Sequence, residues 1–191
     1  SKTEIETGGG SVDGKMHKYD KVAATLHWLM AAMMIVIIII GIGGKGLSDA
    51  LGGIHTMSLH KSLGITVFFL ALLRLFWRLS HTPPPLPETT PVWQQAAAHV
   101  VHIALYVFML GMPILGYVFG SGGPYPMEWF GIAVPKIAVG KAIADAAHEA
   151  HEIGGWLVAG LVSLHIVAAL WHHYVQRDGL LVRMRLGSNA A

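Results

Sequence analysis

Four long apolar runs divide the chain. Val22 to Gly44 is free of Asp, Glu, Lys and Arg, and about 20 apolar residues in a helix are enough to cross the hydrocarbon core of a bilayer. A second run is centred on Leu63–Leu73, flanked by Lys61 on one side and by Arg74 and Arg78 on the other. Long basic side chains near helix ends snorkel to the interface, so this span extends over roughly Thr56–Leu79. The third run, Trp93–Gly120, carries no formal charge and contains Pro113, which bends a helix. The fourth, Ala147–Val175, has no Lys or Arg before Arg177. The pattern predicts an all-α integral membrane protein, a four-helix bundle running up, down, up, down.

The segments between the runs differ in kind. Ser1–Lys15 is polar, contains Gly8-Gly9-Gly10-Ser11 and reads as a flexible or appended tail. The domain is expected over residues 16–186, with 187–191 a C-terminal tail. His81–Pro91 holds Pro83, Pro84, Pro85, Pro87 and Pro91 and reads as a stiff extended connector. Ser121–Ala146 is long for a link between neighbouring helices. With Tyr125, Trp129 and Phe130 among its prolines, it is expected to fold over the outer mouth as a partial cap.

Four spans place both ends of the domain on one side, and basic residues decide which. Lys2, Lys15, Lys18, Lys21, Arg74, Arg78, Arg177, Arg183 and Arg185 share the side of the termini, against Lys45, Lys61, Lys136 and Lys141 opposite. The positive-inside rule therefore predicts cytoplasmic termini.

Composition narrows the chemistry. Only 13% of residues are charged, about half the share in an ordinary soluble domain. A net charge of +2 offers no field for nucleic acid. The absence of cysteine removes thiolate catalysis, iron–sulfur clusters and cysteine zinc sites. Twelve histidines in so apolar a chain are the unusual feature. Nine of them, His27, His60, His99, His102, His148, His151, His165, His172 and His173, fall in or at the edge of a span. A single intramembrane imidazole is ordinarily a helix–helix hydrogen bond. Helix association does not need this many.

The fourth span orders them. His151, His165 and His172 are fourteen and seven residues apart, so they lie on one stripe, within roughly 40° and 20° of each other. Val158 fills the remaining heptad place. The rise from His151 to His165 is about 21 Å, too far for two metal ions sharing a site and suited to two cofactors at different depths. Iron porphyrin held by imidazoles is the natural ligand for such a set, with second imidazoles from facing helices. By depth His60 faces His151 on the outer side. His27 pairs on the cytoplasmic side with His165 or His172, and depth counting does not separate these two.

The pattern Thr25-Leu26-His27-Trp28-Leu29, Ser58-Leu59-His60-Lys61-Ser62-Leu63-Gly64, His151-Glu152, Leu164-His165 and His172-His173-Tyr174 resembles the bacterial di-haem cytochrome b-561 family. It is most similar to the superoxide oxidase group within that family. The resemblance covers residues 16 to about 186. It implies two haem b groups, one held by His27 and His165 and the other by His60 and His151. It also implies electron flow from periplasmic superoxide to ubiquinone. His172 then reads as a quinone contact or proton donor, and equally as a partner of a propionate or lipid headgroup. Arg74 and Arg78 are expected at haem propionates or lipid phosphates, through the fork geometry of the guanidinium. His99 and His102, three residues apart on one helix face, either line the quinone site or serve packing. His17, His55 and His81 read as solvated loop residues. The run Met30–Ile40 reads as lipid-facing and core packing.

Two other readings compete. One is a membrane-anchor cytochrome carrying electrons from a periplasmic dehydrogenase or hydrogenase subunit to quinone. The other is a transporter whose histidines bind a metal or relay protons. That reading calls for intramembrane Asp or Glu beside the histidines, and none lies deep in a span.

Overall fold

A computed structural model describes residues 18–53, 55–85 and 90–186. The tail expected over residues 1–15, His17 and the tail 187–191 lie outside the described residues. Four helices, α1 (Lys21–Ala50), α2 (Thr56–Ser80), α3 (Val92–Gly122) and α4 (Lys141–Trp171), carry the chain back and forth. Each is long and apolar enough to span a membrane, with windows of mean hydropathy between 1.7 and 2.4. Sequential helices are neighbours, and α4 returns beside α1. The bundle is thus the four-helix membrane architecture read from the sequence.

The helix ends move outward from the expected ones for local reasons. α1 breaks at Gly44, where the first apolar run ends, with φ 48° and ψ −135°, a backbone conformation open to glycine. It then resumes to Ala50. α4 begins at Lys141, before the apolar run, because its first turns are supported by a Lys141–Asp145 pair at 2.6 Å and i,i+4 spacing. Asp20 caps α1. Its carboxylate accepts the Ala23 amide at 2.8 Å and the Trp77 indole N–H at 3.1 Å, so it also ties α1 to α2.

The core is thin and lies at mid-depth. Met30, Val67, Ala71 and Met109 are buried together, with Met33, Met34, Ile37 and Tyr106 packed around them. Val158 of α4 is buried at the corresponding depth. Ile35, Val36 and Ile39 are exposed, as a lipid-facing side requires. The packing is uneven. α3 and α4 share a long seam, the α1–α4 seam is sparse, and α2 and α4 stand across the bundle with scarcely any backbone contact.

Segment 123–140 forms the cap expected from its aromatic and proline content, and its centre is a hairpin. β1 (Glu128–Trp129) pairs antiparallel with β2 (Ile132–Ala133). Phe130 and Gly131 turn between them with φ 47° and 83°, both positive as in a type I′ turn. The hairpin is pinned to α2. Phe130 N–H donates to Ser62 Oγ at 2.9 Å, the Trp129 indole to Thr66 Oγ1 at 3.0 Å, and Lys61 Nζ to Pro126 O at 3.2 Å. Buried Met127 lies against Gly120, where a side chain would collide with its sulfur.

The other end is closed by the chain after α4. The helix widens into a π turn over His172–Gln176, and the chain then crosses the bundle end through a 3-10 turn over Val182–Met184. The Trp28 indole donates to Met184 O at 2.7 Å, Tyr19 N–H to Arg183 O at 3.1 Å, and the buried Arg183 guanidinium to Pro85 O at 2.7 Å.

Two substitutions test these ties. Ser62→Ala leaves the Phe130 amide without its acceptor, a loss of roughly 1–3 kcal/mol, and should speed amide exchange at residues 128–131. Unchanged exchange would remove Ser62 as the pin. Asp20→Ala should cost about 1 kcal/mol and lower Tm in detergent by about 2–4 °C. Slight burial raises the Asp20 pKa, but the Ala23 amide and Trp77 indole outweigh it and hold the pKa below the ordinary carboxyl value. The group's contribution is therefore complete above the unfolded carboxyl pKa and is lost as pH falls through the folded one. The Tm gap between wild type and Asp20→Ala should shrink on acidification. A gap that widens would contradict this.

Candidate functional site

The histidines gather in two layers, one on each side of the apolar mid-depth core. In one layer, termed outer after the side expected from the basic residues, His60 of α2 faces His151 of α4, with ring centres 6.0 Å apart and planes at 78°. Each ring is held from behind. His60 Nδ1 lies 3.1 Å from Ile37 O, and His151 Nδ1 lies 3.0 Å from Met112 O. A carbonyl only accepts, so both Nδ1 atoms carry the proton, and each Nε2 keeps its lone pair. Backbone without side chains makes room for both rings. A Cβ on Gly41 would stand 3.1 Å from His60 Cε1, and one on Gly116 3.1 Å from His151 Cε1.

In the inner layer His27 of α1 and His165 of α4 have ring centres 6.2 Å apart. Depth had left His165 and His172 as alternatives beside His27. The structure puts His165 there and turns His172 to Asp178. His102 of α3 joins this layer, 5.6 Å from His165, whereas His99, three residues earlier, faces outward and is exposed. Arg74 donates to His27 Nδ1 at 2.9 Å, and its guanidinium lies 5.9 Å from the Tyr106 ring centre. Arg78 is half-buried one turn further along α2.

The outer pair fits an iron held between paired imidazoles as it stands, and the inner pair fits once another acceptor draws the Arg74 guanidinium away from His27 Nδ1 and the proton moves there from Nε2. A metal–imidazole bond is about 2.0–2.1 Å; with roughly 1 Å more from nitrogen to ring centre, taken on both sides, two trans imidazoles have centres about 6 Å apart. Both layers have that spacing. A cavity of about 520 Å³ adjoins the outer pair, lined by His60, His151, Gly41, Gly116 and the apolar side chains Phe108 and Met112. This is within the range of cofactor sites, roughly 300–1,000 Å³. In the inner layer the Tyr106 hydroxyl is buried without a partner, and Arg74 stands beside it. An acidic substituent there would satisfy both groups. Among the described residues no three His, Cys, Asp or Glu side chains group as a site for a bare metal ion.

The remaining histidines take lesser places. His55 precedes α2 and is exposed. His81 is also exposed but not merely solvated, since it stacks on Trp77 at 3.9 Å. His148 stacks on Phe119 at 4.3 Å and lines the outer cavity. Tyr106 and Asp178 were not singled out by the sequence reading. Tyr106 is seven residues before Pro113 in a run of apolar neighbours, where a lone hydroxyl carries no periodic signal. Asp178 stands beyond the last span, where a carboxylate is ordinary.

Comparison with known proteins agrees with this architecture. A family model described as prokaryotic cytochrome b561 matches residues 18–187. The chain is 34% identical over 178 residues to cytochrome b561 homolog 2 of Escherichia coli (strain K12), covering 91% of this chain and 94% of that protein. It is 30% identical over 178 residues to a protein of Yersinia pestis named probable superoxide oxidase CybB, covering 88% and 97%. It is also 30% identical over 172 residues to cytochrome b562 of Cereibacter sphaeroides, covering 87% and 94%. By a match that spans all four helices, this chain belongs to the prokaryotic cytochrome b561 family of electron-transfer membrane proteins, whose cofactor is b-type haem.

Proposed function

We propose that this protein takes electrons from superoxide at its outer face and passes them through two haem b groups to ubiquinone at its cytoplasmic face. The observation that carries the reading is the pair of imidazole layers, set about 21 Å apart along α4. His60 and His151 hold the outer group, and His27 and His165 hold the inner one. Bound there, haem supplies a one-electron iron couple. Arg74, Arg78 and Tyr106 receive propionates at the inner layer. His102 packs edge-on to His165. Both ends of the domain lie in the cytoplasm, as the excess of basic residues on that side requires.

The chain's own groups shape the path. Two superoxide anions each give up one electron and leave as dioxygen, while one quinone takes both electrons and two protons. A small anion is drawn by the outer lysines. Lys61 lines the outer cavity, and Lys136 is held at the cap by the carbonyls of Gly123 and Tyr125. Lys141 contributes less, because Asp145 pairs with it at 2.6 Å. The mid-depth core of Met30, Val67, Met109 and Val158 keeps water from linking the two layers. His172 sits beyond His165 near the cytoplasmic end of α4, within lateral reach of a lipid-soluble quinone. Support for superoxide as donor comes from the name of the Yersinia pestis relative and from these lysines. The membrane-anchor reading shares the haems and differs in donor.

Haem content tests the first half. Pyridine haemochromogen analysis should give two haems per chain. His27→Ala or His165→Ala should each remove one haem and keep the other, and His60→Ala or His151→Ala should remove the complementary one. A ratio near one in the unaltered protein would sink the two-layer reading.

Rapid mixing tests the donor. Superoxide should reduce the oxidised haems, and added ubiquinone analogue should re-oxidise them. Lys136→Gln should slow the reduction more than Lys141→Gln, and added salt should shrink the difference as screening weakens steering. Reduction no faster than by spontaneous decay products would replace superoxide by a docked protein donor.

A further inference from the structure

His172 is not left to solvent at the end of α4. Its Nδ1 is hydrogen-bonded to Asp178 Oδ2, and the two side chains are only 17% and 12% exposed. The local backbone is built for this contact. In a continuous α-helix a residue six places on is turned about 120° away. Here the helix widens into the π turn His172–Gln176, and Arg177 takes a left-handed conformation with φ 53° and ψ 35°. Left-handed geometry is unfavourable for a side-chain-bearing residue. Asp178 is thereby folded back, its amide reaching His172 O at 3.4 Å. Its second oxygen accepts the Leu180 amide at 3.1 Å, which fixes the carboxylate's direction. Arg183 donates to Pro85 O, and His173 lies edge-on to Tyr174. No described residue hydrogen-bonds His172 Nε2.

We propose that Asp178 and His172 form a carboxylate–imidazole pair in which Asp178 orients His172 to deliver a proton to the carbonyl oxygen of a quinone bound at the end of α4. The inference rests on the quinone reading above and assigns Asp178 a role within it. A carboxylate on Nδ1 fixes the tautomer, stabilises the imidazolium and leaves Nε2–H as the donor, which is the logic of an oriented general acid. As the quinone ring takes two electrons from the haem side, the oxygen facing His172 forms an O–H bond with the Nε2 proton. The other carbonyl oxygen takes its proton from water, and hydroquinone results. His172, left neutral with its proton on Nδ1, regains the Nε2 proton from water when hydroquinone leaves, and Asp178 stays ionised throughout. Asp178 is thus a positioning residue that acts through His172.

The test follows re-oxidation of the reduced, haem-loaded protein by a water-soluble ubiquinone analogue, with haem content as the control for folding. Asp178→Asn should slow re-oxidation by at least about tenfold, within the range lost with a positioned general acid. Asp178→Glu should restore most of the rate. Added formate should partly restore it in Asp178→Ala, because a small acid takes the vacated place. A contact that merely latched the turn would not respond to formate. If His172→Gln re-oxidises at the unaltered rate, the quinone site itself is misplaced and the role of the pair falls with it. If His172→Gln is slow but Asp178→Asn is not, the quinone site stands and the role of Asp178 is overturned. Should the Asn and Ala variants lose haem, Asp178→Glu and deuterated solvent decide. No slowing of the unaltered protein in deuterated water would overturn the proton delivery.

Discussion

An imidazole placed in hydrocarbon must have its nitrogens satisfied, and this requirement organises the molecule. His60 and His151 each give a proton to a main-chain carbonyl, of Ile37 and Met112 respectively. Helical carbonyls are normally taken by their own helix, so each ring reaches a neighbouring helix and uses a spare acceptor position there. One bond then does two things. It locks the tautomer and orientation of the ring, and it directs the remaining lone pair across the bundle axis. The glycines at 41 and 116 follow from the same constraint, because any side chain there would press on the ring that the carbonyl holds.

The same requirement explains why the bundle is hollow where it is. Lipid offers no hydrophobic gain for bringing two apolar helices together, so close packing is concentrated in the seams between sequential helices and in the mid-depth core. Above and below that core, imidazoles from α1, α2 and α4 face the axis. A cofactor that binds both partners of a layer becomes part of the core.

Much of this was legible in the chain before any coordinates. Length and charge mark four spans, since a bilayer tolerates few formal charges. The stripe of His151, Val158, His165 and His172 follows from heptad spacing alone. The parts that were not legible depend on contacts between segments distant in sequence. Whether His27 meets His165 or His172 turns on helix tilt, which spacing does not encode. His102 reaches the inner layer while His99, three residues earlier, is turned to the exposed side of α3, a difference that their spacing alone does not encode. The carboxylate beside His172 was hidden by the π turn. Helical periodicity places Asp178 on another face, and nothing in the local composition signals the left-handed residue that returns it.

Because the middle of the bundle opens around the two histidine layers, its ends carry the ties that hold four helices in register. At the outer end the hairpin is bonded to α2 through Ser62, Thr66 and Lys61. At the inner end the segment after α4 joins α1 through Trp28 and Tyr19, and the α2–α3 connector through Arg183. These ties use backbone carbonyls and amides, and such bonds are strongest where water is partly excluded. They also set what reaches each layer. On the function proposed above, the outer closure would give a small donor a route past Lys61 and His148 to the cavity of His60 and His151, and the inner closure would bring His172 and Asp178 to an acceptor that needs protons. The two ends would then give the path its direction, since each would admit one kind of reactant and hold the residues that reactant requires.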